Sequence, residues 1–214
     1  GAAPAQAPAL RLASRTRGAI RVLCDVDRAR ALAPTPDMAD ARHELNHASF
    51  TPDGGSVLFV HRWQGRAGRR SRLLRWTSAD DRLAPVLDGG MVSHYCQGPD
   101  GSLFAYARVD GRDAYYRLNP SGAAPAMLGP GRLDLHGDGH PGLSPDGRWL
   151  LTDSYPDRRR QQHLLALELG TGAVRPLGRF LAPLRFRGVE RVDLHPRFSP
   201  DGRRVCIDSA HDGA

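Results

Sequence analysis

The octapeptide His140-Pro141-Gly142-Leu143-Ser144-Pro145-Asp146-Gly147 decides the fold, because its pattern returns in the same register three more times. His47 opens HASFTPDG (47–54), His94 opens HYCQGPDG (94–101) and His195 opens HPRFSPDG (195–202). In every copy the histidine stands six residues ahead of the aspartate of a Pro-Asp-Gly turn, and successive histidines are 47, 46 and 55 residues apart. The tripeptide carries its own turn chemistry. Proline presets φ, aspartate bonds nearby backbone, and glycine supplies a positive φ. Periods of this length belong to solenoids, propellers and related arrays. A residue repeated in register on such units occupies equivalent places, so in a closed ring the four imidazoles would face one shared spot.

Working outward from the turns, short apolar runs between Gly, Pro and Asp read as strands. The first unit offers Val57–His61, Arg72–Trp76 and Ala84–Leu87. The second offers Leu103–Arg108, Tyr115–Leu118 and Ala126–Leu128, and the third Trp149–Asp153, His163–Glu168 and Ala173–Leu177. With the strand that precedes each turn, this makes four antiparallel strands per unit, the blade of an all-β propeller. Residues 1–18 read as an Ala/Pro-rich leader or linker. The blades fall at 41–90, 91–135 and 136–182. Half blades at 19–40 (strands at Ala19–Asp25 and Arg30–Ala33) and 190–214 flank them. The halves either join into a four-bladed ring or belong to a larger propeller of about seven blades; the second reading is preferred, since a small ring needs tightly wedged blades.

Composition narrows the function classes. All 30 basic residues are arginine and the net charge is +7. The planar guanidinium fork suits carboxylate, sulfate or phosphate partners. Aromatic content is 7%, and no RNP, zinc-finger or helix-turn-helix pattern is present, so nucleic acid is not an expected partner. Apolar runs fall short of the roughly 18–20 residues of a membrane span. No GxSxG motif marks a nucleophilic serine. Cys24, Cys96 and Cys206 form no CxxC pair and read as small buried residues, leaving the compartment open between cytoplasm and periplasm or secretion.

In a blade the Pro-Asp-Gly turn and the histidine sit at opposite ends of the innermost strand. Eight residues past each turn aspartate stand His61, Arg108, Ser154 and Ser209, with Arg62, Tyr155, Arg158 and His211 just beyond. One face therefore gathers His, Arg and Tyr. Asp153 and Asp208, each seven past its turn aspartate, read as a repeated hydrogen-bond device rather than an acid/base pair.

At these repeats, over residues 41–214, the sequence resembles the WD40-like, TolB-type propeller repeats, without the GH and WD dipeptides of true WD40 blades. The combination of DGHPGLSPDG (138–147), TDSYPD (152–157) and DLHPRFSPDG (193–202) also resembles the propeller-fold polysaccharide lyases typified by oligogalacturonate lyase. Those enzymes are similar in using histidines, a divalent metal and arginines on one face of a seven-bladed ring. The resemblance implies a lyase acting on an acidic, uronate-containing oligo- or polysaccharide by β-elimination. That chemistry removes a proton α to a carboxylate, and a metal or an arginine fork must neutralise the carboxylate. His94, His140 and His195, with His47 as a fourth, are the expected ligands of a divalent metal, Mn or Zn first among Mn, Zn, Ni and Fe. Arg62, Arg108 and Arg158 are expected to grip carboxylates, Arg108 within the catalytic set. His61 and Tyr155 are the acid/base candidates. The alternative is a non-catalytic TolB-like propeller that binds a protein or glycan partner through the same face.

Overall fold

The computed structural model describes residues 8–14, 16, 18–120 and 122–213. The chain divides into two compact units, residues 1–92 and 93–214, and each is described by itself.

In the first unit β1 (Ala9–Ala13) pairs antiparallel with β2 (Ile20–Asp25), and α1 (Val26–Ala31) follows. Two expectations change here. The expected leader contains a strand, with Ala9 opposite Asp25 and Ala13 opposite Ile20. The expected strand at 30–33 is replaced by the end of a helix. Asp25 caps that helix by accepting the Arg28 amide at 2.8 Å, and the Arg/Ala-rich VDRARA has good helix formers to follow the cap.

Beyond it, β3 (Arg42–Phe50), β4 (Ser56–Gly65), β5 (Gly68–Thr77) and β6 (Arg82–Leu87) form a four-stranded antiparallel sheet in chain order. Alternate apolar residues of β4 and β5 turn inward, so Val57, Phe59, Leu74 and Trp76 pack with Leu23, Cys24 and Ala29.

From the unit boundary onward β7 (Val92–Gln97), β8 (Leu103–Val109), β9 (Arg112–Leu118) and β10 (Ala126–Met127) make the next sheet. A third follows from β11 (Gly142–Leu143), β12 (Trp149–Asp153), β13 (Gln161–Glu168) and β14 (Val174–Leu181). The hairpin of β15 (Arg197–Phe198) and β16 (Val205–Cys206) comes last. Phe104, Tyr115, Leu133, Leu150, Leu165 and Leu167 form one apolar core. Leu151, Leu164, Ala166 and Leu194 form another. Of the three cysteines, which are all free, Cys24 is buried as expected, Cys96 is half-buried, and Cys206 on the short β16 is exposed.

The four turns share one geometry. Gly54, Gly101, Gly147 and Gly202 donate their amides to the carbonyls of Thr51, Gly98, Ser144 and Ser199 at 2.8, 3.0, 2.9 and 2.8 Å. Each of these glycines has φ between +68° and +79°. The turn aspartates accept a further backbone amide, as Asp146 does from Arg148 at 3.1 Å and Asp201 from Arg203 at 3.1 Å. Proline second, aspartate third and glycine fourth is the arrangement that this turn type favours.

Candidate functional site

The second unit brings three of the repeat histidines side by side. The His94 and His140 rings lie 4.3 Å apart between centroids, and those of His140 and His195 3.9 Å apart. His94 extends from β7, while His140 and His195 sit just ahead of β11 and β15. Register alone thus aligns them.

Each ring is held at Nδ1. His140 Nδ1 lies 3.0 and 3.1 Å from the two carboxylate oxygens of Asp153. His94 Nδ1 lies 3.3 Å from Asp138 Oδ1 and 3.1 Å from Ser93 Oγ, and Ser93 in turn donates to Asp138 Oδ2 at 2.5 Å. His195 Nδ1 lies 3.1 Å from the Asp193 carbonyl oxygen and 3.9 Å from Asp208 Oδ2. Carboxylate and carbonyl oxygens only accept, so Nδ1 carries the proton and Nε2 becomes the lone-pair nitrogen. For His140 and His195, Nε2 has no hydrogen bond among the described residues.

Asp153 does more than orient one ring. Almost fully buried at the end of β12, it also accepts the backbone amides of His140 at 2.6 Å and His195 at 3.0 Å. It thereby ties two repeats together, and Asp208 serves the fourth by receiving the Arg197 guanidinium at 2.8 and 3.2 Å. The repeated aspartate is a hydrogen-bond device, as its spacing suggests. Gly139 completes the fit, because a Cβ there would collide with the Asp153 carbonyl oxygen.

Tyr155 stands beside the row, its ring 5.9 Å from His140 and 6.5 Å from His94. Burial first, and then the charge of Asp138, pushes its phenol up to about 12. At neutral pH it is a proton donor rather than a base. The Arg191 guanidinium lies 4.5 Å above the ring and forks onto Asp193 at 2.7 and 2.8 Å.

The other expected residues have surroundings of their own. His47 is exposed in the first unit, at the bulge of β3, with φ +52°. His195, its register equivalent, has φ +39°, so this slot twice imposes a left-handed backbone that costs a non-glycine residue on the order of 1 kcal/mol. His61 is fully buried in the first unit, hydrogen-bonded to His43 and Arg72 and pushed down to about 3, by burial before the nearby Arg72 charge. It leaves the acid/base set. The cause is strand length: β4 runs on to Gly65, so the eighth residue after the turn is mid-strand, whereas β12 ends at Asp153. Arg62 faces Glu44 across β3 and β4. Arg108 forks onto Asp113 at 2.6 and 2.8 Å within its own hairpin. Arg158 is exposed on the turn after Tyr155.

Asp138, Asp193 and Arg191 were not singled out from the sequence. A signal for the aspartates is present, since each stands two residues ahead of a repeat histidine, at His140 and His195. A neighbouring cleft of about 480 Å³, lined by His136, Asp138, Ser154, Tyr155, Asp157 and His163, was also missed.

The row suits a divalent cation in donor chemistry. Imidazoles anchored at Nδ1 by carboxylates are the usual supported ligands of metals. Four carboxylates (Asp138, Asp153, Asp193, Asp208) outnumber two guanidiniums (Arg191, Arg197) around it. Among the described residues, however, no group of three or more His, Cys, Asp or Glu is gathered closely enough to hold a metal ion.

No protein-family model matches the chain, and no curated protein matches it. Solved structures do. TolB from Acinetobacter baumannii superposes with a TM-score of 0.62 and 18% identity over 92% of this chain and 42% of its own. The fold is that of TolB-type propeller blades. A putative TolB from Agrobacterium tumefaciens gives a TM-score of 0.59 and 22% identity over 93% of this chain and 60% of its own. An oligogalacturonate lyase in complex with manganese gives 0.57 and 15% over 91% of this chain and 51% of its own. The chain thus spans about half the length of the structures it resembles. At these identities the likeness concerns the fold. No helix among the described residues is long and apolar enough to cross a membrane.

Proposed function

We propose that this chain belongs to a lyase that cleaves an acidic, uronate-containing oligosaccharide by β-elimination, with the histidine row of the second unit at its centre. The observation that carries the reading is the row itself: three imidazoles anchored at Nδ1, with the His140 ring between those of His94 and His195 and beside Tyr155. The manganese-bound lyase of the same fold supports it.

To hold a divalent ion, Mn or Zn, the ring nitrogens of His94, His140 and His195 would have to draw closer together than they stand. Such an ion, when bound, offsets the charge of the uronate carboxylate and so acidifies the adjacent C–H. The need for it follows from the surrounding carboxylates, which would otherwise repel an acidic sugar. The α-proton would pass to water, and Tyr155, kept protonated, would give its own proton to the oxygen that leaves as the glycosidic bond breaks. With His61 buried, it is the acid/base group that remains. Arg158, exposed on the following turn, would take a further carboxylate, whereas Arg108 is committed to Asp113.

The test measures bound metal and the absorbance of unsaturated uronate products with the purified protein on polygalacturonate and other uronate polymers. The expected result is metal-dependent product formation that His140→Ala lowers by at least about 100-fold, the scale of losing one preorganised electrostatic group. Full activity in His140→Ala, or no eliminase activity on any uronate polymer, overturns the reading. The latter outcome leaves the non-catalytic TolB-like propeller with a protein or glycan partner.

A further inference from the structure

The cleft beside Tyr155 departs from the rest of this chain in its charge. The protein carries 30 arginines and a net charge of +7, yet no arginine lines this cleft, while Asp138 and Asp157 do. Two imidazoles face each other in it: His136, on a 3-10 turn at Asp134–His136, and His163, on β13, have ring centroids 4.7 Å apart. His163 Nε2 is bound to Asp157 Oδ2 at 3.3 Å. Asp157 is itself fixed, because its other oxygen accepts the amides of Arg159 and Gln161 at 2.8 and 2.9 Å. The His136 ring makes no hydrogen bond among the described residues.

We propose that His136 and His163 form a second site, distinct from the histidine row, that takes a divalent transition-metal ion through two imidazoles, with Asp157 orienting His163. The charge excess favours a cation over an acidic ligand, and the donors choose among cations. Imidazole nitrogen suits zinc, nickel and copper, whereas magnesium and calcium want a shell of oxygens. Carboxylate on one ring nitrogen and metal on the other is the arrangement that raises an imidazole's strength as a ligand. Two protein ligands leave the remaining positions to water, and a cleft of about 480 Å³ has room for them.

This inference stands apart from the lyase reading, and its test separates the two. Zinc is titrated calorimetrically into the chain, into His136→Ala and into His140→Ala, with magnesium as competitor. We expect His136→Ala to lose one bound zinc per chain that His140→Ala keeps and that excess magnesium does not displace. Asp157→Asn should weaken the same site about tenfold, the lower end of what removing an orienting partner costs. In the unmodified chain, zinc should shift the ring resonances of both His136 and His163. Unchanged stoichiometry and affinity in His136→Ala overturns the proposal, and so do ring resonances at 136 and 163 that ignore zinc. Since the His136 ring is half-exposed and unbonded, its removal leaves folding intact. Losses confined to His140→Ala report on the row alone.

Discussion

Two sets of histidines in this chain use the same ring for opposite ends. In the first unit Arg72 donates Nε–H to His61 Nδ1 at 3.2 Å, His61 Nε2 lies 2.9 Å from His43 Nδ1, and His43 Nε2 lies 3.0 Å from the Met38 carbonyl. Every nitrogen in that chain is used, and the order of donors is fixed from Arg72 to the carbonyl. Arg72 itself is fully buried, reaching the Ala29 carbonyl at 2.7 Å and Asp88 at 3.3 Å. In the second unit His140 and His195 are held at one nitrogen and have none of their bonds at the other. A closed chain stabilises a core, and a half-bound ring can act on something else. Burial is the variable that separates them, because a buried nitrogen without a partner is costly.

The contrast can be broken by substitution. Asp153→Ala should be the most damaging change, at about 4 kcal/mol, because it strands two backbone amides and an imidazole at a buried position. Denaturant unfolding would measure this, and a loss below about 1 kcal/mol would mean that Asp153 does not tie the two repeats. His61→Ala should follow at about 3 kcal/mol, combining a cavity with two unpaired neighbours. His140→Ala should cost only about 1 kcal/mol. If thermal unfolding ranks His140→Ala as the more destabilising of the two histidine variants, the distinction between the sets collapses.

Acid sharpens the same comparison. His61 is held unprotonated in the folded state, its value lowered from 6.5 to about 3, while the unfolded chain takes up the proton near 6.5. The folded state thus binds fewer protons, so the stability from this group is complete above about pH 6.5 and declines as pH falls toward 3. Melting temperatures measured from pH 7 to pH 4 should drop in the parent and drop less in His61→Ala. The smallest effect belongs to Asp208→Asn. Its pair with Arg197 is half-exposed, and exposed pairs contribute little because solvent screens them, so a melting-temperature change of more than a few degrees would contradict the placement.

The turn chemistry made most of the fold legible. Pro-Asp-Gly marks where each first strand ends, and β12 occupies the residues that pattern assigns to it. What failed was local. β1 lies in an Ala/Pro-rich stretch without β-branched residues, and α1 is six residues long, too short to show a helical period. The histidine row was legible because register is a long-range signal. Asp153 and Asp208 were legible in the same way, but Asp138 was not, because it serves His94 at a distance of 44 residues rather than the adjacent His140. His136 and His163 share no register, and only folding sets them face to face.

Gly139 has a practical consequence for engineering. The Asp153 carbonyl occupies the volume that any side chain at 139 would fill, so the seat of His140 is defined by missing atoms as much as by present ones. A designer transplanting this histidine onto another blade must move the glycine and the aspartate along with it, as one cassette. A graft that copies only the visible imidazole would lift the loop off its strand and aim the ring elsewhere.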